Sequence, residues 1–375
     1  MLSYWEQKNF LTYDLIVVGA GFTGLSAGIH FKKEYPKAKV LILERGNFPT
    51  GASTKNAGFA CFGSLTEILD DFWSMSPDEV VELVERRYHG LKQIKKHFGE
   101  KALRYQHRNG YEILDQDSLK AVEQIEEINH LLKKVFKKEV FSLVKNPLKF
   151  GFSDQVKAVI KNRFEGELDP AAYLNSLWEK AGSLGIKILT GISVEEIDQE
   201  SGSLKAIGSI GQEHLEFRAR KIAVCTNAFT KKLWKDCPME PGRGLILLSK
   251  PLGFDLPWKG VFHMDKGYVY FREVDGRLLL GGARNKDIKG ENTTEFGVNQ
   301  AIRSHLDRLA KEVILPYREL EWDMEWTGIM AFGPKKSPII QQIGPTTAVA
   351  VRLGGMGVAI GWQVGKELSE LLSEM

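Results

Sequence analysis

Three glycines form the clearest chemical motif in the chain. They follow a short apolar run, residues 14–18 (DLIVV), and precede residues with helical spacing. In this spacing the first glycine permits a tight turn, the second lets backbone N–H groups approach a pyrophosphate, and the third allows close packing of helix on strand. The phosphates would lie at the positive end of that helix. The predicted cofactor-binding residues of this turn are Gly19, Gly21, Phe22, Thr23 and Gly24.

An acidic residue follows at the distance that such a site requires. Glu44 lies 20 residues after Gly24 (44 − 24) and ends a second apolar run, residues 39–43. Its carboxylate can accept hydrogen bonds from both hydroxyls of an adenosine ribose, and it disfavours the 2′-phosphate of NADP. A lone G-x-G-x-x-G also occurs in purely structural turns, but strand, helix and acid together predict dinucleotide binding. The motif does not distinguish FAD from NAD.

Three further segments favour FAD. Residues 51–58 (GASTKNAG) could wrap the pyrophosphate and one flavin face, with a plain surface loop as the alternative. Residues 191–194 (GISV) could offer backbone groups to an adenine or form an ordinary turn. Residues 353–358 (LGGMGV) precede a last helix, whose N-terminal dipole would stabilise negative charge on reduced flavin. Glycine-assisted helix packing is the alternative for this last segment.

The elements that would position these residues alternate at first and then change. Residues 14–45 predict strand, glycine turn, helix and strand, which is one βαβ unit of a parallel sheet. Residues 76–79 (SPDE) form a capping box that begins an amphipathic helix, and a second such helix is predicted over residues 119–135. Residues 169–170 (DP) begin another helix. Residues 275–276 (DG) predict a tight turn between antiparallel strands.

Composition excludes several classes of protein. The 375 residues allow two domains, and 43% hydrophobic with 26% charged residues is typical of a globular chain. The net charge of 51 − 48 = +3 is too small to argue for nucleic-acid binding. Three cysteines share no C-x-x-C spacing, so neither a disulfide framework nor a metal site is expected. Because no signal peptide and no run of ~20 apolar residues is visible, we expect a cytoplasmic protein without a membrane span.

Together these segments resemble the FAD-dependent D-amino-acid oxidase superfamily, with a layout similar to glycine oxidase, sarcosine oxidase and γ-glutamylputrescine oxidase. The resembling segments come in the family's order and cover nearly the whole chain: residues 14–24, 44–45, 51–58, 169–172, 191–194, 226–228, 268–272, 279–282 and 354–357.

The resemblance implies an α/β fold. It would comprise a Rossmann-like FAD-binding domain of the glutathione-reductase-like type and an inserted substrate domain built on a mixed, largely antiparallel sheet. The FAD-binding domain would be discontinuous, with residues 1–75, 150–235 and 325–375. The substrate domain would comprise residues 76–149 and 236–324, and the flavin would lie between the two.

The resemblance also implies cofactor roles. Glu44 would hold the ribose, and Arg45 would cover the adenine, which the backbone of Val194 would also meet. The other predicted contacts to the pyrophosphate and the flavin are Ser53, Thr54, Lys55, Asn56, Ala57, Gly58, Thr226, Asn227, Gly354, Gly355, Met356, Gly357 and Val358.

Departures from the family pattern bear on the chemistry. Sarcosine oxidase-like members carry a flavin-attached cysteine in the segment that matches residues 334–338 (PKKSP), so this chain is expected to bind FAD non-covalently. A family lysine, thought to help oxygen react, aligns with Leu279, so oxygen is expected to be a poor acceptor. The arginines that hold a substrate carboxylate in glycine oxidase-like members match Met330 and Gly355, so the usual anchor is absent.

Four residues are candidates for substrate contact. Tyr268 matches a family tyrosine whose hydroxyl faces the substrate, although a tyrosine packed in the core fits the sequence equally well. Arg284 could bind an anion as a fork, although a solvated loop position is the simpler interpretation. Phe59 and Met330 are candidate pocket walls, with core packing as the simpler alternative. Arg352 is interpreted as structural, and no histidine is assigned a role.

The resulting hypothesis is an FAD-dependent enzyme that oxidises the C–N bond of an amine or amino acid. A neutral amine would give its α-hydrogen as hydride to flavin N5, the imine would be hydrolysed in water, and the electrons would pass to oxygen or a quinone. One alternative is a 2-hydroxy-acid dehydrogenase of the same superfamily, which would need a base, typically histidine. Another is a flavin-holding subunit or an RNA-modifying relative, against which the low net charge argues.

Overall fold

Two eight-stranded sheets organise the protein in the computed structural model, which describes residues 3–208 and 214–375. The strands are β1 (Thr12–Val18), β2 (Val40–Glu44), β3 (Phe59–Ala60), β4 (Gly110–Leu114), β5 (Phe141–Leu143), β6 (Ala158–Asn162), β7 (Gly166–Glu167), β8 (Lys187–Thr190), β9 (Ile192–Asp198), β10 (Ser203–Gly208), β11 (His214–Val224), β12 (Glu240–Ser249), β13 (Val261–Met264), β14 (Val269–Val274), β15 (Arg277–Gly282), β16 (Trp322–Phe332), β17 (Ile339–Gln342) and β18 (Thr347–Val351). The α-helices are α1 (Tyr4–Phe10), α2 (Phe22–Glu34), α3 (Ala52–Lys55), α4 (Leu65–Asp71), α5 (Pro77–Phe98), α6 (Ile125–Leu131), α7 (Pro170–Ser183), α8 (Ile288–Glu291), α9 (Gln300–Leu309) and α10 (Gly357–Glu374).

The first sheet is the Rossmann-like layer. Its strands run in the order β17-β18-β11-β1-β2-β8, parallel from β18 to β8, with β9 and β10 attached antiparallel beside β11. The central strand β1 is apolar on both faces. Leu15 and Val17 contact the helix layer, and Ile16 and Val18 contact the opposite layer. A parallel strand covered on both faces takes this continuous apolar sequence, so the predicted βαβ unit is confirmed.

Helices cover one face of this sheet and bring the two ends of the chain together. α10 lies against α2 so closely that a Cβ on Gly361 would be 3.0 Å from the Cβ of Phe22, and one on Gly365 would be 2.5 Å from that of Ser26. The Ser26 hydroxyl donates to the Trp362 carbonyl at 2.7 Å. α2 is therefore held in place by an element about 330 residues later in the sequence.

The second sheet is mixed and largely antiparallel, as predicted. Its order is β16-β12-β15-β14-β13-β4-β6-β5, with only the β13–β4 pair parallel. The predicted hairpin joins β14 and β15, and its turn residues Asp275 and Gly276 have φ of 51° and 73°. Positive φ at both positions is the geometry of the turn that suits twisted strands.

β6 and β16 pair within the second sheet, whereas residues 150–235 and 325–375 were predicted to belong to the FAD-binding domain, and the domain boundaries stay a prediction. One detail of the predicted secondary structure is wrong. The helix predicted over residues 119–135 is broken into 3₁₀ turns on either side of α6. The Ser118 hydroxyl bonds to Asp115 and does not cap this segment, which leaves its first turn without a side-chain acceptor.

No helix in the described part of the chain combines the length and the hydrophobicity that a membrane span needs.

Candidate active site

A long cleft opens at the carboxyl ends of β1, β2 and β11, where a doubly wound sheet binds its ligand. Most residues predicted to bind the cofactor line it, although they come from six separate segments of the chain. These residues are Gly19, Gly21, Phe22, Thr23, Glu44, Arg45, Ser53, Asn56, Val194, Thr226, Asn227, Gly355, Gly357 and Val358.

The glycine turn has the geometry that its sequence predicts. Gly19 has φ of +106°, which strains any side chain, and a Cβ on Gly24 would be 1.9 Å from the Gly19 carbonyl oxygen. A Cβ on Gly21 would be 2.9 Å from Ser53 Oγ, which accepts a hydrogen bond from the Phe22 N–H at 3.1 Å. Gly21 is the N-cap of α2 and supplies no side chain to its first turn. The start of α2 is therefore open to an anion from the cleft.

The end of β2 presents a fixed carboxylate. Glu44 is buried, and its two oxygens accept hydrogen bonds from the Ala20 and Gly46 N–H groups, each at 3.0 Å. Beside it the Arg45 guanidinium lies 3.7 Å from the centre of the Phe229 ring. Phe229 also lines the cleft and was not predicted. A stacked arginine and aromatic ring form a flat wall at the end of the cleft where the adenine was predicted.

The loop of residues 51–58 contributes less directly than predicted. Thr54 donates its hydroxyl to the Pro49 carbonyl at 2.8 Å, and Gly58, with φ of +73°, packs where a Cβ would be 2.2 Å from the Leu168 oxygen. Like Gly24, Thr54 and Gly58 line neither the cleft nor the pocket that adjoins it. Lys55 lines an adjoining pocket and not the cleft.

The opposite end of the cleft is bare backbone. Gly354 and Gly355 have φ of +57° and +82°, and the atom nearest to a Cβ on Gly355 is Met330 Sδ at 3.6 Å. α10 begins two residues later with no side-chain cap, and the N–H groups of Gly357 and Val358, which line the cleft, have no acceptor among the described residues. Arg352 donates to the carbonyls of Ser337 and Pro238, which agrees with the structural role predicted for it.

A second pocket continues from the cleft to the face of the second sheet. All four predicted substrate residues line it: Phe59, Tyr268, Arg284 and Met330. The predicted cofactor residues Lys55, Ala57, Gly354 and Met356 line it as well. Asn56, Met330, Gly355 and Val358 line both cavities, which marks where the two join.

Arg284 is the most telling side chain of the pocket. Its guanidinium is half-buried and lies 4.1 Å from the centre of the Phe332 ring. Among the described residues it has no acidic partner within ion-pairing distance. Burial lowers the pKa of Arg284, which still leaves the group charged. A desolvated cation without a counter-ion is suited to bind an anionic ligand.

Sequence reasoning missed a group of polar residues in the same wall. His263, Cys61 and Tyr270 line the pocket beside Phe59, and the His263 Nε2 lies 3.2 Å from a carboxylate oxygen of Glu165. Burial raises the pKa of Tyr270 to about 12, so its phenol stays neutral. Glu165 lies 98 residues before His263, and no spacing rule joins them. The available signal was a histidine inside an apolar strand, which alone does not indicate a site.

The fold and the cleft are those of a dinucleotide-binding protein, and a second pocket joins the cleft. Residues 14–371 match the model of the FAD dependent oxidoreductase family, and the chain belongs to that family. It is therefore an FAD-dependent enzyme. The cleft fits FAD, because the bare turn at Gly21 and the open backbone at Gly354 and Gly355 leave room for the phosphates and the ring.

Similar proteins are distant in sequence. The chain is 22% identical to the probable oxidoreductase OrdL of Haemophilus influenzae over 96% of its own length and 82% of that protein. It is 26% identical to the bifunctional protein ThiO/ThiG of Synechocystis, but over only 51% of the chain and 28% of that protein. The crystal structure of glycine oxidase from Geobacillus kaustophilus has a TM-score of 0.76 at 16% identity, with 97% of this chain and 95% of that chain covered. Iminodiacetate oxidase from Chelativorans has a TM-score of 0.74 at 19% identity, with 96% and 95% covered. The predicted fold class and family are confirmed.

Proposed function

We propose that the protein oxidises the C–N bond of an amino acid or another amine that carries a carboxylate. FAD, when bound in the cleft, supplies the acceptor for the hydride that leaves the substrate carbon. The chain supplies the binding and orientation of the substrate. The observation that carries this proposal is Arg284, a half-buried cation at the pocket wall without an acidic partner among the described residues.

Arg284 replaces the carboxylate anchor that the family places elsewhere. Its guanidinium can hold a carboxylate through two parallel hydrogen bonds, and stacking on Phe332 fixes the plane of the fork. Tyr268 lines the same pocket, and its hydroxyl has no hydrogen-bond partner among the residues that the structure describes. We assign it the role of a second polar contact to the substrate. Phe59 and Met330 form apolar walls that exclude water from the reacting atoms.

The electron acceptor is part of the proposal. Leu279 occupies the position of the family lysine that is thought to assist oxygen, and it lies in an apolar cluster with Ala57 and Ile246. The leucine side chain carries no charge that could stabilise reduced oxygen at that position. We therefore propose a quinone as a faster acceptor than oxygen.

The test is the visible spectrum of the holoprotein under anaerobic conditions. Amines, amino acids and hydroxy acids are added in turn, and bleaching identifies the electron donor. In Arg284→Gln we expect the KM for carboxylate-bearing amines to rise about 30-fold or more, since removing one partner of a buried charge pair costs about 2–5 kcal/mol. An amine without a carboxylate should have the same KM in Arg284→Gln and in the unmodified protein.

The matched control is Arg318→Gln. Arg318 also lies over a phenylalanine, 4.8 Å from the ring of Phe254, but it is exposed and far from the pocket lining. Arg318→Gln should therefore leave the KM of every substrate unchanged. Equal KM values for Arg284→Gln and the unmodified protein would contradict the carboxylate anchor.

A second candidate function is the oxidation of 2-hydroxy acids. This reaction needs a base for the hydroxyl proton, typically a histidine, and His263 lies in the pocket wall. Bleaching by hydroxy acids and not by amines would select this function.

A further inference from the structure

A buried histidine–carboxylate pair stands in the wall of the substrate pocket. His263 on β13 is 5% exposed, and Glu165, between β6 and β7, is fully buried. His263 Nε2 lies 3.2 Å from Glu165 Oε2, while Glu165 Oε1 accepts hydrogen bonds from the Phe62 and Gly63 N–H groups at 3.0 and 3.3 Å. Because two backbone N–H groups hold this carboxylate in place, it fixes the orientation of the imidazole.

The hydrogen bonds determine which ring nitrogen is free. A carboxylate accepts hydrogen bonds, so the proton between the two groups resides on Nε2. Nδ1 has no hydrogen-bond partner among the described residues, and the ring lines the pocket beside Phe59, whose ring centre is 5.3 Å away. In the neutral imidazole Nδ1 carries a lone pair. The pair therefore has the arrangement of a general base whose second nitrogen is oriented by a buried acid.

We propose that His263 is the proton acceptor of the reaction and that Glu165 is its positioning residue. The inference rests on the proposed oxidation at this pocket. His263 Nδ1 takes a proton from the substrate ammonium: the N–H bond breaks, its electron pair stays on the substrate nitrogen, and an Nδ1–H bond forms. The neutral amine is then ready to lose its α-hydrogen as hydride to FAD. For a hydroxy acid the same nitrogen would take the hydroxyl proton.

The groups around His263 suit it to this task. Glu112 is its register partner on β4 and accepts hydrogen bonds from Ser64 and Thr66. Burial lowers the pKa of His263, but its bond to Glu165 and the charges of Glu165, Glu112 and Glu67 outweigh this, and the pKa is raised above 6.5.

The neighbouring thiol does not compete for the proton. Cys61 Sγ, a Glu165 oxygen and a His263 nitrogen all lie within 4.8 Å of one another. Burial and the charges of Glu165 and Glu67 raise the pKa of the Cys61 thiol well above its usual range, so it remains protonated. His263 is then the group of this cluster that is placed to accept the proton.

The test is the pH profile of anaerobic flavin reduction by the donor that bleaches the holoprotein. The rate should rise with pH as His263 loses its proton. His263→Gln, which keeps a donor toward Glu165, should be slower by about 10² to 10⁴ and should lose this limb. Glu165→Gln should move this limb to lower pH by about one pH unit or more. The substitution removes the negative charge that raises the pKa of His263, while the burial that lowers it remains. His305→Gln is the control, since His305 on α9 is partly buried and lies outside this pocket.

A second readout does not depend on turnover. In the NMR spectrum of the holoprotein, the ring signal that disappears in His263→Gln belongs to His263. The pKa of this signal should lie above 6.5, and it should be lower in Glu165→Gln. If amines bleach the protein but His263→Gln keeps the rate and the limb, the inference fails and the proposed function stands. If only hydroxy acids bleach it and His263→Gln is slow, the proposed function fails and the inference stands.

Discussion

At the cofactor turn, a methyl group added to Gly21 would collide with Ser53. A Cβ on Gly21 would be 2.9 Å from Ser53 Oγ, a separation that side-chain carbons do not tolerate without movement, and that hydroxyl already accepts the Phe22 N–H. We expect Gly21→Ala to weaken FAD binding about tenfold or more, which is ~1.4 kcal/mol. Titration of the apoprotein with FAD, followed by flavin fluorescence, measures this directly.

Gly182→Ala is the control for this substitution. Gly182 lies in α7 with no atom within 4 Å of an added Cβ, so alanine should leave FAD affinity unchanged. Alanine should also stabilise the helix by about 0.5–1 kcal/mol. If Gly21→Ala bound FAD as tightly as Gly182→Ala, the close approach at Gly21 would not matter for the cofactor.

Residues whose role depends on neighbours in sequence could be predicted, and others could not. Gly19, Gly21 and Glu44 follow a fixed spacing because one strand, one turn and one helix determine their positions. His263 and Glu165 meet only because β13, β4 and β6 pair side by side, and pairing between distant strands leaves no local pattern. Thr54 carries the right chemistry in the right loop, yet its hydroxyl bonds to the loop itself.

At the scale of elements, α7 depends on its first residue. Asp169 accepts hydrogen bonds from the Ala171 and Ala172 N–H groups at 2.8 and 3.0 Å. Asp169→Ala should lower the free energy of unfolding by about 1 kcal/mol, whereas Asp169→Asn should change it little because asparagine caps equally well. Urea unfolding of the three proteins measures the difference.

The comparison also separates the cap from a competing ion pair. The Arg104 guanidinium lies 2.9 Å from the Asp169 carboxylate. Because the arginine is exposed, this ion pair contributes little to stability. Equal destabilisation by alanine and asparagine would assign the stability to this ion pair. The cap matters for the site because Tyr173 of α7 stacks on Phe22 at 4.4 Å, at the start of α2.

Helix starts with a complete cap were predictable, and the capping box at Ser76 and Glu79 is present as expected. The irregular backbone of residues 119–135 was not predictable, because the apolar spacing of this segment is that of a helix while its tertiary contacts favour another conformation. Asn129 is buried and exchanges hydrogen bonds with Phe141, which draws this segment onto β5. Amphipathic spacing predicts which side is buried and does not predict a regular backbone.

At the scale of the whole molecule, the mode of FAD attachment is the first property to settle. Residues 334–338 carry no cysteine, so acid precipitation should release all the flavin into the supernatant and leave a colourless pellet. Free FAD at 100 times its Kd should stabilise the apoprotein by ~2.7 kcal/mol, because it binds the folded state alone. Thermal unfolding with and without FAD measures this.

A yellow pellet would overturn the non-covalent prediction. Cys225 lines the cleft and Cys61 the adjoining pocket, so peptide mapping would then identify which thiol had reacted. Loss of the yellow pellet in the corresponding serine variant would complete that assignment.

The overall division into two sheets with a cavity between them could be predicted, since motif segments and their order carry that information. Membership of single strands could not. β16 leaves the second sheet at Phe332 and leads within seven residues to β17 of the first, so no compositional break marks the change.

The joining of the chain's two ends has a consequence for biosynthesis. The cleft begins at Gly19 and is completed by residues 353–358 and α10, which the ribosome makes about 330 residues later. At 5–20 residues per second this interval lasts roughly 17 to 66 s. Throughout it the emerging chain has its nucleotide-binding turn but lacks the helix that packs on α2. We therefore expect the cofactor to bind only after α10 has been synthesised, so a shortage of riboflavin would leave apoprotein and not chains arrested at the nucleotide-binding turn.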